Sequence, residues 1–252
     1  MDKLKLLMGR SILLDKEHDI RVRQPMINEV VDMGEDGFNE LVMPFILTSD
    51  SVFNGVENEE AMVSRFDIYD LFFTQIKENV FVLDSVFGGK SALGVLKDSL
   101  SYFLQTDNIE FLIHRKKIVI NDNYLLDKEG FMNLRKLIQG VCSRGDIQVE
   151  KPPKNMKKRQ REIWMKLQKG RRRRAEKEAI YLQDMINFTS FGGATYIPLD
   201  SIDRMTYYQL SNAYKSIMGI DSFRIGMGYK LSQNFEVKDD IKHWTEALKI
   251  GK

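Results

Sequence analysis

The chain has 252 residues, 43% of them hydrophobic and 29% charged, which suits one large or two modest globular domains and excludes collagen-like and broadly disordered classes. No stretch approaches the roughly 18–20 consecutive apolar residues of a membrane helix, so no bilayer span is expected. The net charge of +2 conceals a concentration: residues 151–174 hold twelve Lys or Arg and only Glu162, leaving 26 basic and 35 acidic side chains elsewhere. A moderately acidic chain therefore carries one basic segment, which points to a polyanion or an acidic protein surface as its partner.

In chain order, LKLLMGRSILL and DIRVRQP read as two strands around a polar turn, DKEH, because Ile20 and Val22 alternate with Arg21 and Arg23. The charges that break the apolar run before this hairpin do not fit a secretory leader. Pro25 ends the second strand. Ile27, Val30, Val31, Phe38, Leu41, Val42 and Phe45 then mark an amphipathic helical region, with breaks expected at Gly34 and Gly37. A polar loop, TSDSVFNGVENEE, leads to a helix in FDIYDLFFTQIKEN, with Asp67 or Asp70 as its cap. VFVLDSVF is expected as a strand or buried turn. Another helix begins near Ser91, and IEFLIHRKKIVINDN forms a hairpin with His114 near its tip. NYLLDKEGFMNLRKLIQGVC is a helix with Phe131, Leu134, Leu137, Ile138 and Val141 on one face.

Pro152 and Pro153 form the best boundary in the chain, dividing an N-terminal α+β domain (1–150) from a basic linker helix and C-terminal helical region (151–252). Beyond it one helix is expected from about Asn155 to Phe188. It has an apolar patch at Ile163, Trp164 and Leu167 and a second stripe at Ala175, Ala179, Leu182 and Ile186. A turn at Gly192-Gly193, a capped helix SIDRMTYYQLSNAYKSIMG, a flexible connection at Gly226-Met227-Gly228 and a short last helix, DDIKHWTEALK, complete the chain. The fold class is α+β and mainly helical, its C-terminal part led by the long basic helix.

No catalytic constellation emerges. DSVFGGKS (84–91) has the outline of a phosphate-binding loop, but Asp84 stands where that loop needs glycine, and no second metal-binding carboxylate follows. The plain turn reading is preferred there. His18, His114 and His243 lack partners at ligand spacing, and no serine sits in a nucleophile elbow. Cys142 is the single cysteine, which excludes an intrachain disulfide and a cysteine zinc cluster and fits a reducing compartment. No enzyme activity and no cofactor are expected.

The basic run Arg171, Arg172, Arg173 and Arg174 projects around its helix axis and cannot sit in an ordinary core. With little aromatic interleaving and no reading module beside it, it reads as an exposed connecting helix, and nucleic-acid binding is the second reading. Several segments together resemble the tail assembly chaperones and related tail proteins of long-tailed bacteriophages of Gram-positive hosts. These are LLMGRSILL, IRVRQPMINEVVDMGEDGFNELV, the basic helix followed by LQDMINF, MTYYQLSNAYKSI, and the closing KHW. The resemblance implies a non-enzymatic protein of the host cytoplasm that binds the helical tape measure protein, and in turn the tail tube protein, while the tail is built. Structural or tail-completion roles in the virion are the alternative. Trp164, Arg171 to Arg174, Tyr207, Tyr208 and Trp244 are the candidate partner-binding residues. For Tyr207, Leu210, Tyr214 and Ile217, which fall at helical spacing, internal packing is the preferred reading.

Overall fold

The computed structural model describes residues 2–56, 58–78, 82–151, 153, 156–232, 241 and 243, and of 75–78, 82, 158, 161 and 172 the backbone alone. The fold is α+β and mainly helical, 61% helix with 9% in small antiparallel sheets. The chain opens with α1 (Lys3–Leu7), β1 (Ile12–Asp15), β2 (Ile20–Val22), α2 (Ile27–Met33) and α3 (Glu35–Ile46). Short helices α4 (Ser49–Val52) and α5 (Glu59–Arg65) precede α6 (Ile68–Glu78), α7 (Val82–Val86) and α8 (Ala92–Leu104). A three-stranded sheet of β3 (Ile109–Leu112), β4 (Lys117–Ile120) and β5 (Tyr124–Leu126) leads into α9 (Lys128–Val141). Beyond the prolines come α10 (Lys158–Lys177), α11 (Leu182–Phe191), α12 (Leu199–Asp203) and α13 (Tyr207–Leu231).

The core gathers aromatics from four helices. Phe45 of α3 meets Phe103 of α8 edge-on at 5.8 Å and Phe131 of α9 at 6.0 Å, while Tyr69 and Phe72 of α6 lie 5.2 and 6.3 Å from Phe131. Such ring pairs add to the burial of apolar area that drives the assembly. Tyr69 is buried with its hydroxyl group, and that hydroxyl donates to Lys116 O at 2.6 Å, where the chain turns through positive φ at the β3–β4 tip. The sheet registers Ile109 with Ile120 and Ile118 with Leu126, so four buried side chains share its inner face.

Several expectations are corrected. Leu4–Leu7 is helical instead of extended, because the Asp2 carboxylate accepts the Leu4 and Lys5 amides and only Leu6 needs burial. The 12–22 hairpin is present, with a bulge between Leu13 and Asp15. Gly34, at φ 80°, separates α2 from α3, whereas Gly37 lies inside α3. The polar loop at 48–60 contains α4, where Thr48 and Ser51 cap each other, and the start of α5. Residues 82–86 coil into α7 because Leu83 and Phe87, four apart, both face the core. Tyr124–Leu126 is a third strand, and Asp127 caps the helix after it.

In the C-terminal part the expected long helix is two. It stops at Lys177, and the chain re-enters helix after Tyr181, whose amide donates to Asp184 Oδ2 at 2.9 Å. The stripe Ala175–Ala179–Leu182–Ile186 is thereby broken up, with Ala175 on α10, Ala179 in the connection, and Leu182 and Ile186 on α11. The next helix also splits, at 204–206, where Thr206 and Gln209 form a reciprocal cap on α13. Gly226 and Gly228 lie within α13 and make no flexible connection. The helix expected at DDIKHWTEALK lies outside the described residues, apart from Ile241 and His243; the His243 ring meets Phe223 at 4.8 Å.

Contacts cross the Pro152–Pro153 seam. Ile27 N–H donates to Met205 O and Tyr207 N–H to Pro25 O, an antiparallel bridge centred on Met26 and Thr206. Gln24, 5% exposed, lies behind that bridge. Its amide nitrogen is within 2.8–3.2 Å of Lys5 O, Leu6 O and Arg10 O, and its oxygen accepts the Thr206 hydroxyl at 3.1 Å. Gln209 Nε2 reaches Leu7 O, and Gly9, at φ 68°, lies so close to Thr206 that a Cβ there would stand 3.2 Å from Thr206 Cγ2. Segments 180 residues apart, GR and RQP with MTYYQ, form one clasp.

Candidate partner-docking surface

Among the described residues, two surfaces stand largely open. The first is an apolar groove where α11 and α12 meet α2 and α3. Val31, Leu182, Ile186, Phe191 and Leu199 line it, with Glu35, Gln183 and Asn187 at its polar edge, around a cavity of about 430 Å³. Val31 is 54% exposed, Phe191 62% and Leu199 48%. Ile180, Tyr181 and Tyr196 are exposed on the same helix and its flanks, the Tyr196 ring 5.5 Å from Phe191.

Local chemistry sets this groove. Glu35 Oε2, at the start of α3, accepts the Leu182 amide at 3.1 Å and so holds the N-terminus of α11 against the N-terminal part. Leu182 then faces inward while Phe191 ends the helix facing water. Gly192 follows because a Cβ there would meet Phe188 O at 2.6 Å. Ser190 and Ile197 exchange hydrogen bonds of 2.7 and 3.1 Å that close the loop back onto α11. On the other side of α11, Phe188 packs edge-on against Tyr214 of α13 at 5.5 Å.

The second surface is α10, in which no described side chain is buried. Ile163, Met165 and Leu167 are 51–61% exposed, and Trp164 is half-buried. Arg171 pairs with Glu150 at 3.1 Å and Arg174 with Glu178 at 2.8 Å, both pairs open to water and worth little to stability. Gln168 also donates to Glu150, so that face of the helix looks toward the body.

The sequence candidates separate accordingly. Arg171, Arg173 and Arg174 lie together in solvent; the Arg172 side chain and Trp244 lie outside the description. Tyr207 is spent inside, 7% exposed, with its ring 5.0 Å from Phe38 and the Arg144 guanidinium beside both rings. Tyr208 is half-buried, and burial raises its phenol above the ordinary value. Leu210 is fully buried. Sequence reasoning missed Phe191 and Leu199; the signal was an α11 segment, LQDMINFTSF, with apolar residues on more than one face.

Charged groups elsewhere are used internally. At 84–91 the Asp84 carboxylate accepts the Ala92 amide at 2.7 Å, and Lys90 pairs with Glu40 at 2.6 Å, so helix, turn and helix replace strand, turn and helix. Burial works to raise the Asp70 pKa, but Lys116 and Lys128 outweigh it and hold this carboxyl below the ordinary aspartate value. The His18 amide and ring likewise lower Asp15, and burial pushes the Cys142 thiol up. Among the described residues no group of His, Cys, Asp or Glu gathers that would suit a metal ion, and no helix is long and apolar enough to cross a membrane.

Of the elements around the groove, α11 and α12 lie, with α13, within a stretch that matches a family model. Residues 173–249 match the model described as the YomV second domain. That family is of Bacillus phage origin, so the C-terminal third of the chain is similar to a phage-associated domain. No curated protein and no solved structure matches the chain.

Proposed function

We propose that this protein is a non-enzymatic tail assembly chaperone of a long-tailed phage, binding the helical tape measure protein through the α11–α12 groove. The observation that carries the reading is the groove itself. A helical client presents anchors at i, i+3, i+4 and i+7, and a hydrophobic trough about three helical turns long receives such a face. Val31, Phe191 and Leu199 supply apolar contact without disturbing the core, since all three already stand in water. The phage-related domain at 173–249 and the sequence resemblance support the tail assembly setting.

The test is co-expression with the long helix-rich tape measure candidate encoded nearby, followed by nuclease treatment and purification in about 0.5 M salt, where exposed charge contacts are screened. The client is expected to stay soluble and co-purify. Val31→Asp with Phe191→Asp should return it to the insoluble fraction while the double variant itself remains folded by circular dichroism. A client that is equally soluble with the double variant, or insoluble with both, overturns the proposal.

A further inference from the structure

We infer that the outward face of α10 binds nucleic acid through the phosphodiester backbone, using Arg159, Lys166, Lys169, Arg173 and Lys177. The inference is independent of the groove. At about 100° per residue these five side chains fall within an arc of roughly 80°. Trp164, Gln168 and Arg171 occupy the opposite side, where Gln168 and Arg171 meet Glu150. Among the described side chains of α10 the fold thus sorts the cations: Arg171 lies on the Glu150 side, and one row lies on the opposite side, exposed.

All five cations in that row are exposed, and among the described residues none has a carboxylate at ion-pair distance. Only Glu162 interrupts the row. From Arg159 to Lys177 the row spans about 27 Å at the helical rise. Lys169, Arg173 and Lys177 follow at i, i+4 and i+8, so like charges repel along the helix. Gly170 in the middle adds a further cost of about 1 kcal/mol. A helix of this length with no described side chain fully buried gains little from packing. A phosphodiester chain supplies what is missing, a continuous line of negative charge that meets every cation of a straight row at once. Its oxygens suit the guanidinium of Arg159 and Arg173 as bidentate acceptors. An acidic protein would need carboxylates repeating in the same rhythm along its whole contact.

Fluorescence anisotropy of the full chain with a labelled DNA duplex of about 20 base pairs, a single-stranded RNA of equal length and polyglutamate tests this. Two double variants remove equal charge: Lys166→Gln with Arg173→Gln on the outward face, and Arg171→Gln with Arg174→Gln on the acid-paired side. The wild type should lose on the order of a hundredfold in nucleic-acid affinity between 50 and 200 mM salt, as about four phosphate contacts require. The outward variant should bind at least tenfold more weakly, with the log–log salt slope reduced by about two, while the acid-paired variant loses less than about threefold. A preference between duplex and single strand then assigns the polymer. Equal losses in the two variants, salt-independent binding, or tighter binding to polyglutamate than to either nucleic acid would overturn the inference, the last in favour of an acidic protein partner.

Discussion

The two helices on either side of the Pro152–Pro153 seam, α9 and α10, both carry arginine and both begin with lysine, yet they end in opposite environments. In α9, Phe131, Leu134, Ile138 and Val141 make one continuous apolar face, all fully buried. That face carries Arg135 inside with it, to 4% exposure, where the guanidinium meets Asp146 at 2.5 Å and Gln139 shares the same carboxylate. In α10 the apolar residues Ile163 and Leu167 have charges on every side, no stripe reaches the core, and the Arg171 and Arg174 side chains stay 68% and 79% exposed. The location of an arginine is thus decided by the apolar residues three and four positions away from it. Where a stripe exists, the charge follows it in and must find a partner; where none exists, it stays in water and is available to another molecule.

The contrast breaks down if equivalent truncations cost the same. Phe131→Ala removes a ring that touches Phe45, Tyr69 and Phe72, and should destabilise the protein by about 3–5 kcal/mol. Leu167→Ala on α10 should change stability by less than about 0.5 kcal/mol. Urea unfolding of the two variants reads both, and comparable losses would mean that α10 is packed after all. A smaller effect separates the carboxylates. Asp146→Ala leaves the Arg135 guanidinium buried with no charge partner and should cost about 2 kcal/mol, less than a fully buried pair because Asp146 is half open to solvent. Glu150→Ala, which frees Arg171 and Gln168 into water, should cost under about 0.5 kcal/mol by the same measurement.

The smallest of the three differences concerns the N-terminus of α9, where Lys128 reaches Asp70 at 3.3 Å and also pairs with Asp67. The Asp70 carboxyl is held below its ordinary value, so its contribution is present above the unfolded-state aspartate pKa and is lost as pH falls through the folded one. Asp70→Asn should therefore cost about 1 kcal/mol near neutrality, and the gap to wild type should close below the ordinary aspartate value of 3.8. Thermal unfolding from pH 7 to pH 3 measures it, and a gap that widens in acid contradicts the assignment.

Much of the N-terminal fold was legible residue by residue. Asp67, offered with Asp70 as a cap, and the helix start near Ser91 rest on chemistry that acts within three positions, and Asp67 and Ser91 both cap their helices. Phe131, Leu134, Ile138 and Val141 were legible from helical spacing. The misreadings cluster where a short apolar run fits two periods. Leu4–Leu7 and Val82–Val86 are each one turn of helix, too short for alternation and helical spacing to differ. Helix ends at Lys177 and Asp203 were missed because local propensity continues through them, and only the docking of Leu182 and Tyr207 on the N-terminal part stops the helix.

What the sequence by itself determined is the class, mainly helical with small antiparallel hairpins, and the exposure of the basic segment, since both follow from neighbours within a turn or two. The partner surfaces belong to the tertiary structure. For Tyr207 helical spacing favoured a core position over an exposed anchor, and only the closure of Phe38 and Pro25 over it supplied that core. The groove needs Val31 and Glu35 beside Leu182 and Leu199, about 150 residues away, and no local pattern encodes which distant faces will meet. The outward row on α10 required knowing which side of the helix faces Glu150. Helical spacing places side chains around an axis, but only long-range packing decides which way that axis is turned.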